Sequence, residues 1–287
     1  MSTTPRVLVS SIALTLTLAV GAAAQSAADI LTRTLEAYEH RMDGIDNYTL
    51  VQDVMGMESV MYFEKEVTGG RPVVHLKRMT VGGRSMSTAG DAEKGWDQFY
   101  AMVPELASHA HYLGREEVHG FPVHVVEVRD LQDLDFIDVP HPEDADFRLE
   151  TAKLFIDADQ WVMRRAEIAG QVTTNGQHHD VTSVTDLTDY REVHGMLYPF
   201  LVTVQMQGLG AAMGMSDADM AEARKQLDEM KQQMERMPEA QRAMMEQMLR
   251  QQTAAMEQML GGEGGNGMTV EMRVKRVDVN SGPPGGN

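Results

Sequence analysis

The sequence predicts an α+β protein. It reads as a β-rich domain of successive hairpins, led by one helix and interrupted near its end by a helical insertion. Two periodicities and one change of composition predict this. From Tyr48 to Val81, and again from Phe121 to Met206, apolar residues tend to recur at every second position, the spacing of strands with one buried face. Between Ser216 and Leu260 they recur at steps of three and four, the spacing of a helix. Glycine-rich pieces, residues 208–214 and 261–267, separate the two regimes, and a strand pattern resumes over residues 268–279.

Taken in order, residues 25–41 read as a helix, with Ile30, Leu31, Thr34, Leu35 and Tyr38 on one stripe and Asp29 in the first turn, where a negative charge suits the helix dipole. Gly44 ends it. Three strands follow at residues 48–55, 59–67 and 73–81, divided by Gly56 and by Gly69-Gly70. Trp96 to Tyr100 reads as a short strand, and Pro104 to His111 as a helical turn. Gly114 to Gly120 leads into a strand at 121–129, in which Val123 and Val125 face one way and His124, Val126 and Val128 the other. Residues 131–147 carry six carboxylates with Pro140 and Pro142 and read as a loop. Strands at 152–156 and 161–169 are joined by Asp157-Ala158-Asp159-Gln160, a turn by composition. Residues 172–187 and 199–206 complete the run. Between them, His194-Gly195 supplies a tight turn, because glycine accepts positive φ, and Pro199 is placed at the entry of the next strand.

The chain of 287 residues opens with Arg6, an apolar run from Val7 to Ala24 and small residues at Ala22, Ala23 and Ala24. That pattern is a secretory signal peptide cleaved after Ala24; an uncleaved anchor is the alternative, although the run is slightly short for a span of about 20 residues. An exported, periplasmic location is therefore expected. The chain has no cysteine, which excludes a disulfide framework, thiol chemistry and a lipid-modified N-terminal cysteine. Its formal net charge is −18 at pH 7, and loss of Arg6 with the leader makes it one unit more negative. A field of that sign disfavours nucleic acid and anionic lipid surfaces.

Methionine is in excess, with 24 in the chain. Ser216 and Asp219 suit a helix start, and Met220, Ala223, Leu227, Met230, Met234 and Met237 form a heptad-like seam. Pro238 breaks it and suits the first position of a second helix, in which Gln241, Met245, Met248, Gln252, Ala255 and Met259 continue the spacing. The pair folds back as a helical hairpin or runs on as one kinked arm. Three readings fit the methionines: soft filler in a helical seam, an apolar surface for a flexible ligand or a membrane-complex or protein partner, and thioether ligation of copper(I). The pairs Met230/Met234, Met244/Met248 and Met245/Met248 stand at i,i+4 or i,i+3.

Catalytic signatures are missing. The sequence contains no Gly-x-Ser-x-Gly, no His-Glu-x-x-His, no phosphate-binding glycine loop and no calcium-loop spacing. Of the ten histidines, only His109/His111 and His178/His179 lie close in sequence, with no third ligand in step. The chain is expected to be neither an enzyme nor the holder of a resident cofactor or metal.

Four elements resemble the outer-membrane lipoprotein-sorting family, the LolA-like fold. They are the leader and short helix before strands near Tyr48; Gly114-Arg-Glu-Glu-Val-His-Gly120 with the valine strand after it; the hairpin from Lys153 through Ile156-Asp157 to Arg165; and Tyr190-Arg-Glu-Val-His-Gly-Met-Leu-Tyr-Pro199 with the closing strand 274–280. The resemblance implies a curved, incompletely closed antiparallel barrel, or half-barrel, with helices covering its open side. It divides the chain into a leader (1–24), a β domain (25–207 and 268–281), the Met-rich insertion (208–267) and a disordered tail (282–287). It further implies an apolar interior that takes the acyl chains of a lipid or lipoprotein, with Leu50, Met61, Phe63, Leu76, Phe155, Phe200, Val202 and Met272 as lining candidates. The insertion is no part of the basic sorting-protein pattern, and no functional residue of the family is matched one for one. The expected function is a non-enzymatic envelope carrier or chaperone. The alternatives are an envelope protein-binding or stress-sensing module without lipid cargo, and a copper(I)-binding protein.

Overall fold

A computed structural model describes residues 26–54, 56–86, 98–131, 146–174, 176–208, 222, 225, 229, 232 and 267–284. Helix α1 (Ala27–Arg41) starts where the chain supplies its own cap. Ser26 Oγ accepts from the Asp29 backbone N–H at 3.1 Å, and the Asp29 carboxylate accepts from the Ser26 N–H at 3.2 Å. Its stripe of Ile30, Leu31, Thr34, Leu35 and Tyr38 is buried, as the periodicity predicts.

Strands β1 (Asn47–Val54), β2 (Met57–Thr68), β3 (Arg71–Val81) and β4 (Arg84–Met86) form one meander. Helix α2 (Gln98–Leu106) and a 3-10 turn (Ala107–His109) intervene. A second meander follows, β5 (Ala110–Val118), β6 (Phe121–Arg129), β7 (Asp146–Asp157), β8 (Met163–Thr174), β9 (Gln177–Val193) and β10 (Met196–Gln207). Strand β11 (Gly267–Val279) then pairs with β10 on one side and β1 on the other. One antiparallel sheet of 11 strands results, in the order β4-β3-β2-β1-β11-β10-β9-β8-β7-β6-β5. It is curved and does not close into a barrel.

Both helices pack on one face of this sheet, called the inner face below. Tyr38 of α1 stacks on Tyr100 of α2 with ring centroids 4.0 Å apart. Beneath them lie Tyr48, Leu50, Phe63, Leu76, Val126, Leu154, Ile156 and Phe200 in one continuous core. Packing of this kind, rather than helix propensity, holds helices of such length in place.

Four sequence expectations are corrected. Of the stretch read as a strand over Trp96–Tyr100, the described residues 98–100 instead open α2, because Phe99, Val103 and Leu106 are buried at helical spacing. Gly114–Gly120 is no mere lead-in, since residues 110–118 are strand β5, with a bulge between Tyr112 and Gly114. His178-His179 lie within β9 rather than in a loop, Gly176 being the turn residue before it. Pro199 stands inside β10, opposite Tyr190, rather than at its entry. The His194-Gly195 turn is as expected, with φ of 51° and 88°.

Asn280 fastens the end of β11 to the loop before β1. Its Oδ1 accepts from the N–H groups of Asp46 (2.8 Å) and Asn47 (3.3 Å), and its Nδ2 donates to the Gly44 carbonyl (2.7 Å). Its φ is 52°, a region asparagine tolerates better than most residues. Asn280→Ala is expected to lower stability by about 2 kcal/mol, from lost hydrogen bonds and a strained backbone. Asn280→Gly, which relieves the strain, is expected to cost less; urea melts of the two variants check the order.

The insertion leaves and returns at one place. Gln207 pairs with Gly267, so β10 and β11 form a complete ladder up to the point where residues 209–266 depart. Gly208 lies against β9: a Cβ there would meet the Asp180 carbonyl oxygen at 2.1 Å. Within the insertion, the described residues Glu222, Lys225, Glu229 and Gln232 are helical and exposed, and Lys225 pairs with Glu229 at 3.8 Å. The methionine seam between Met220 and Met259 lies outside the described residues. Replacing residues 209–266 with a two-residue Asn-Gly turn is expected to leave a folded β domain, read as an unchanged strand signature and a cooperative melt. Collapse of that variant would make the insertion part of the core.

Candidate ligand-binding face

The register fixes which side chains share the inner face. Leu187 of β9, buried in the core, stands opposite Val202 of β10, which stands opposite Met272 of β11. Side chains alternate along a strand, so Val204, Met206, Met268 and Val270 lie on the same face. Val204 is opposite Val270, and Met206 opposite Met268. All six, Val202, Val204, Met206, Met268, Val270 and Met272, are half-buried, and none belongs to the core that packs against α1 and α2. The inner face thus has two parts: one filled by helices, and a valine–methionine floor next to the point where the insertion leaves.

The eight lining candidates divide accordingly. Leu50, Phe63, Leu76 and Phe200 are buried beneath the helices, and Met61 packs against that core. Val202 and Met272 lie on the floor. Phe155 is set apart, in a cluster with Val118, Val123 and Val125 on the opposite face. A register shift between Phe155 and Ile156 accompanies this placement. Sequence reasoning passed over Val204, Met206, Met268 and Val270 as lining residues, although the same period of two marks them.

Polar knots pin the hairpins at the other end of the sheet. Asp157, 2% exposed, accepts from the N–H groups of Asp159 (2.9 Å) and Gln160 (2.7 Å) through Oδ1, and from Arg164 Nε (2.9 Å) through Oδ2. Burial pushes its pKa up, but those backbone donors and the Arg164 guanidinium outweigh burial and hold it below the usual carboxylate value. Arg164 is itself covered by the rings of Phe121 (3.9 Å) and Tyr190 (4.8 Å). Close by, Asp186 accepts from His119 Nε2 and from Arg165 Nε, each at 2.8 Å, tying the β5–β6 turn to β8 and β9. A cavity of about 360 Å³ lies between these knots, lined by His119, Phe121, Gln160, Arg164, Thr188, Asp189 and Tyr190.

A third cluster sits where β5 and β6 meet α1. His124 is fully buried and stacks on Trp161, with centroids 5.4 Å apart and ring planes 17° apart. Its Nδ1 lies 3.2 Å from the Tyr112 hydroxyl, while Nε2 is buried without a partner. Arg33 of α1 lies over the other side of the picture, 5.5 Å from the Trp161 ring centroid. Among the described residues no group of three His, Asp or Glu side chains is placed to hold a metal, and no helix is long and apolar enough to cross a membrane.

No protein-family model matches the chain, and no curated protein matches it. Solved structures do. A structure from Vibrio parahaemolyticus named as an outer membrane lipoprotein-sorting protein domain is 8% identical, with 88% of this chain and 95% of that chain covered and a TM-score of 0.37. A DUF1329 family protein from Desulfovibrio piger is 9% identical over 90% of this chain and 93% of that one, with a TM-score of 0.41. MucB is 16% identical over 63% and 78%, with a TM-score of 0.24. The first of these bears the sorting-protein name to which the sequence motifs pointed.

Proposed function

We propose that the chain is an exported, non-enzymatic carrier that holds an acyl chain, of a lipid or of a lipid-modified protein, against the inner face of its open sheet. The observation that carries this is the floor of Val202, Val204, Met206, Met268, Val270 and Met272. It is apolar, carries no charge, is continuous across β10 and β11, and lies beyond the helix-packed core. Each methylene buried there contributes about 0.8 kcal/mol, so a chain of moderate length is enough for stable binding. Methionine is unbranched and adapts to a flexible ligand without demanding one shape. The leader and the absence of cysteine fit a periplasmic site of action.

The test is native mass spectrometry with solvent extraction on the mature protein, from Gln25 onward, purified from a periplasm. Titration with a fluorescent fatty acid accompanies it. A co-purifying lipid or acylated peptide is expected. Val270→Asp is expected to weaken fatty-acid binding at least tenfold, because a carboxylate on the floor must be desolvated when the chain binds. Thr203→Asp, on the other face of β10, is expected to leave binding unchanged. A clean apo mass with no uptake of added lipid or lipopeptide would overturn the carrier reading and favour a module that binds protein partners.

A further inference from the structure

The cluster around His124 has features that hairpin packing does not require. His124 points to the inner face with Val126 and Val128, and its register partner on the edge strand β5 is Arg115. Tyr112 of β5, Trp161 of the β7–β8 turn and Arg33 of α1 complete the surroundings. Burial first, and then the charges of Arg115 and Arg33, hold the His124 imidazole below its usual pKa, so it is neutral near pH 7.

Arg115, the register partner of His124, and Arg33, which lies over Trp161, thus stand near a buried imidazole whose Nε2 has no hydrogen-bond partner. A buried polar atom left unsatisfied calls for a partner. Several arginines of this acidic chain are neutralised by neighbours. Arg129, Arg164, Arg165, Arg191, Arg273 and Arg276 each form an ion pair with a carboxylate. Arg33 and Arg115 form none among the described residues, and both are exposed. The acids one turn away on α1 are Asp29, whose carboxylate caps the helix and interacts with Arg33 only electrostatically, and Glu36; neither forms an ion pair with Arg33 among the described residues. Trp161 closes over His124 with φ of 54°, a conformation uncommon for a bulky residue.

We propose that Arg33, Arg115 and His124 form a binding site for an oxyanion, a phosphate or carboxylate group, with Trp161 as its movable cover. The two guanidiniums supply paired donors suited to planar or tetrahedral oxyanions. When Trp161 shifts, Nε2 supplies a third contact and gains a proton beside the negative charge. The site stands apart from the valine–methionine floor, so it does not depend on the carrier reading. A free anion and the head group of an amphiphile share the chemistry it recognises.

The test uses the full mature chain with Trp96→Phe, which leaves Trp161 as its one indole. Trp161 fluorescence is followed during titration with inorganic phosphate, octanoate and a soluble short-chain phosphatidic acid, at constant ionic strength set with chloride. A saturable change is expected. Arg33→Gln and Arg115→Gln are each expected to weaken it at least tenfold, with partial rescue by Arg33→Lys and Arg115→Lys, which keep charge but lose the fork. Binding is expected to tighten from pH 7.5 to pH 5.5, and His124→Asn to flatten that trend. A response to phosphate identifies a free-anion site, and a response only to the amphiphiles identifies a head-group site. Val270→Asp, which tests the floor, is expected to leave the phosphate response intact. No saturable response to any of the three probes, or one unchanged in the double glutamine variant, would overturn the proposal.

Discussion

Asp157→Ala is expected to lower folding stability by about 3–5 kcal/mol, the cost of leaving a buried charge without its partner. Arg164 is 4% exposed, so its guanidinium stays largely buried once the carboxylate is gone, with Gln160 Oε1 still accepting from it at 2.8 Å. The same change strips the acceptor from the N–H groups of Asp159 and Gln160 and loosens the β7–β8 turn. Asp157→Asn keeps an acceptor for those two donors but not the charge, and is expected to fall between alanine and the native residue. Combining Asp157→Leu with Arg164→Met removes both charges and is expected to recover part of the loss, because a buried ion pair contributes little beyond an apolar pair of similar size. Denaturant melts of the four proteins decide this; equal stability of Asp157→Ala and the native chain would mean that the knot is not closed in solution. The carboxylate also sets an acid limit. Its folded-state pKa is depressed, so its contribution is fully present above the ordinary carboxylate value and is lost as pH falls through the folded value.

Stability is also expected to fall at milder acidity, and His124 is the cause. Here the sign is that of a histidine buried in its neutral form. The unfolded chain takes up a proton near pH 6.5, whereas the folded chain resists it, so stability present above that pH is lost as pH falls from there toward the folded value. One such group gives a slope of at most about 1.4 kcal/mol per pH unit. The loss is expected to concentrate at the contact between α1 and the sheet, since a charged imidazole would stand beside Arg33 and Arg115. His124→Phe removes the titrating group and keeps a ring to stack on Trp161. Melts at pH 7.5 and 5.5 are expected to differ for the native chain and to agree more closely for the variant.

The hairpins were legible because they are local. His194-Gly195 and Gly69-Gly70 turn the chain as read, and the alternation on either side follows from the geometry of a strand, whereas the stretch read as one strand over 172–187 is divided between β8 and β9. His124 was placed with Val126 and Val128 by that alternation alone. Helix α2 was less legible: Phe99 and Tyr100 are adjacent, and a short apolar run reads as strand or helix until it has something to pack against. Phe155 shows the limit most plainly. Alternation sorts β7 into two faces but does not say which is inner, and shifts of register at Leu149/Thr151 and Phe155/Ile156 change the phase along the strand.

By itself the sequence determined the absence of thiol chemistry, the acidic balance and the strand-rich domain. These depend on composition and on contacts between near neighbours. Only the tertiary structure decided that β11 joins the two meanders, that α1 and α2 fill one part of the inner face, and that Val204, Met206, Met268 and Val270 are left on the other. It alone brought Arg33 and Arg115 to the buried His124, and folded Arg164 back onto Asp157. Such pairings join residues tens to hundreds of positions apart, and the free energy that selects them comes from burial and ion pairing that exist only once the sheet has formed.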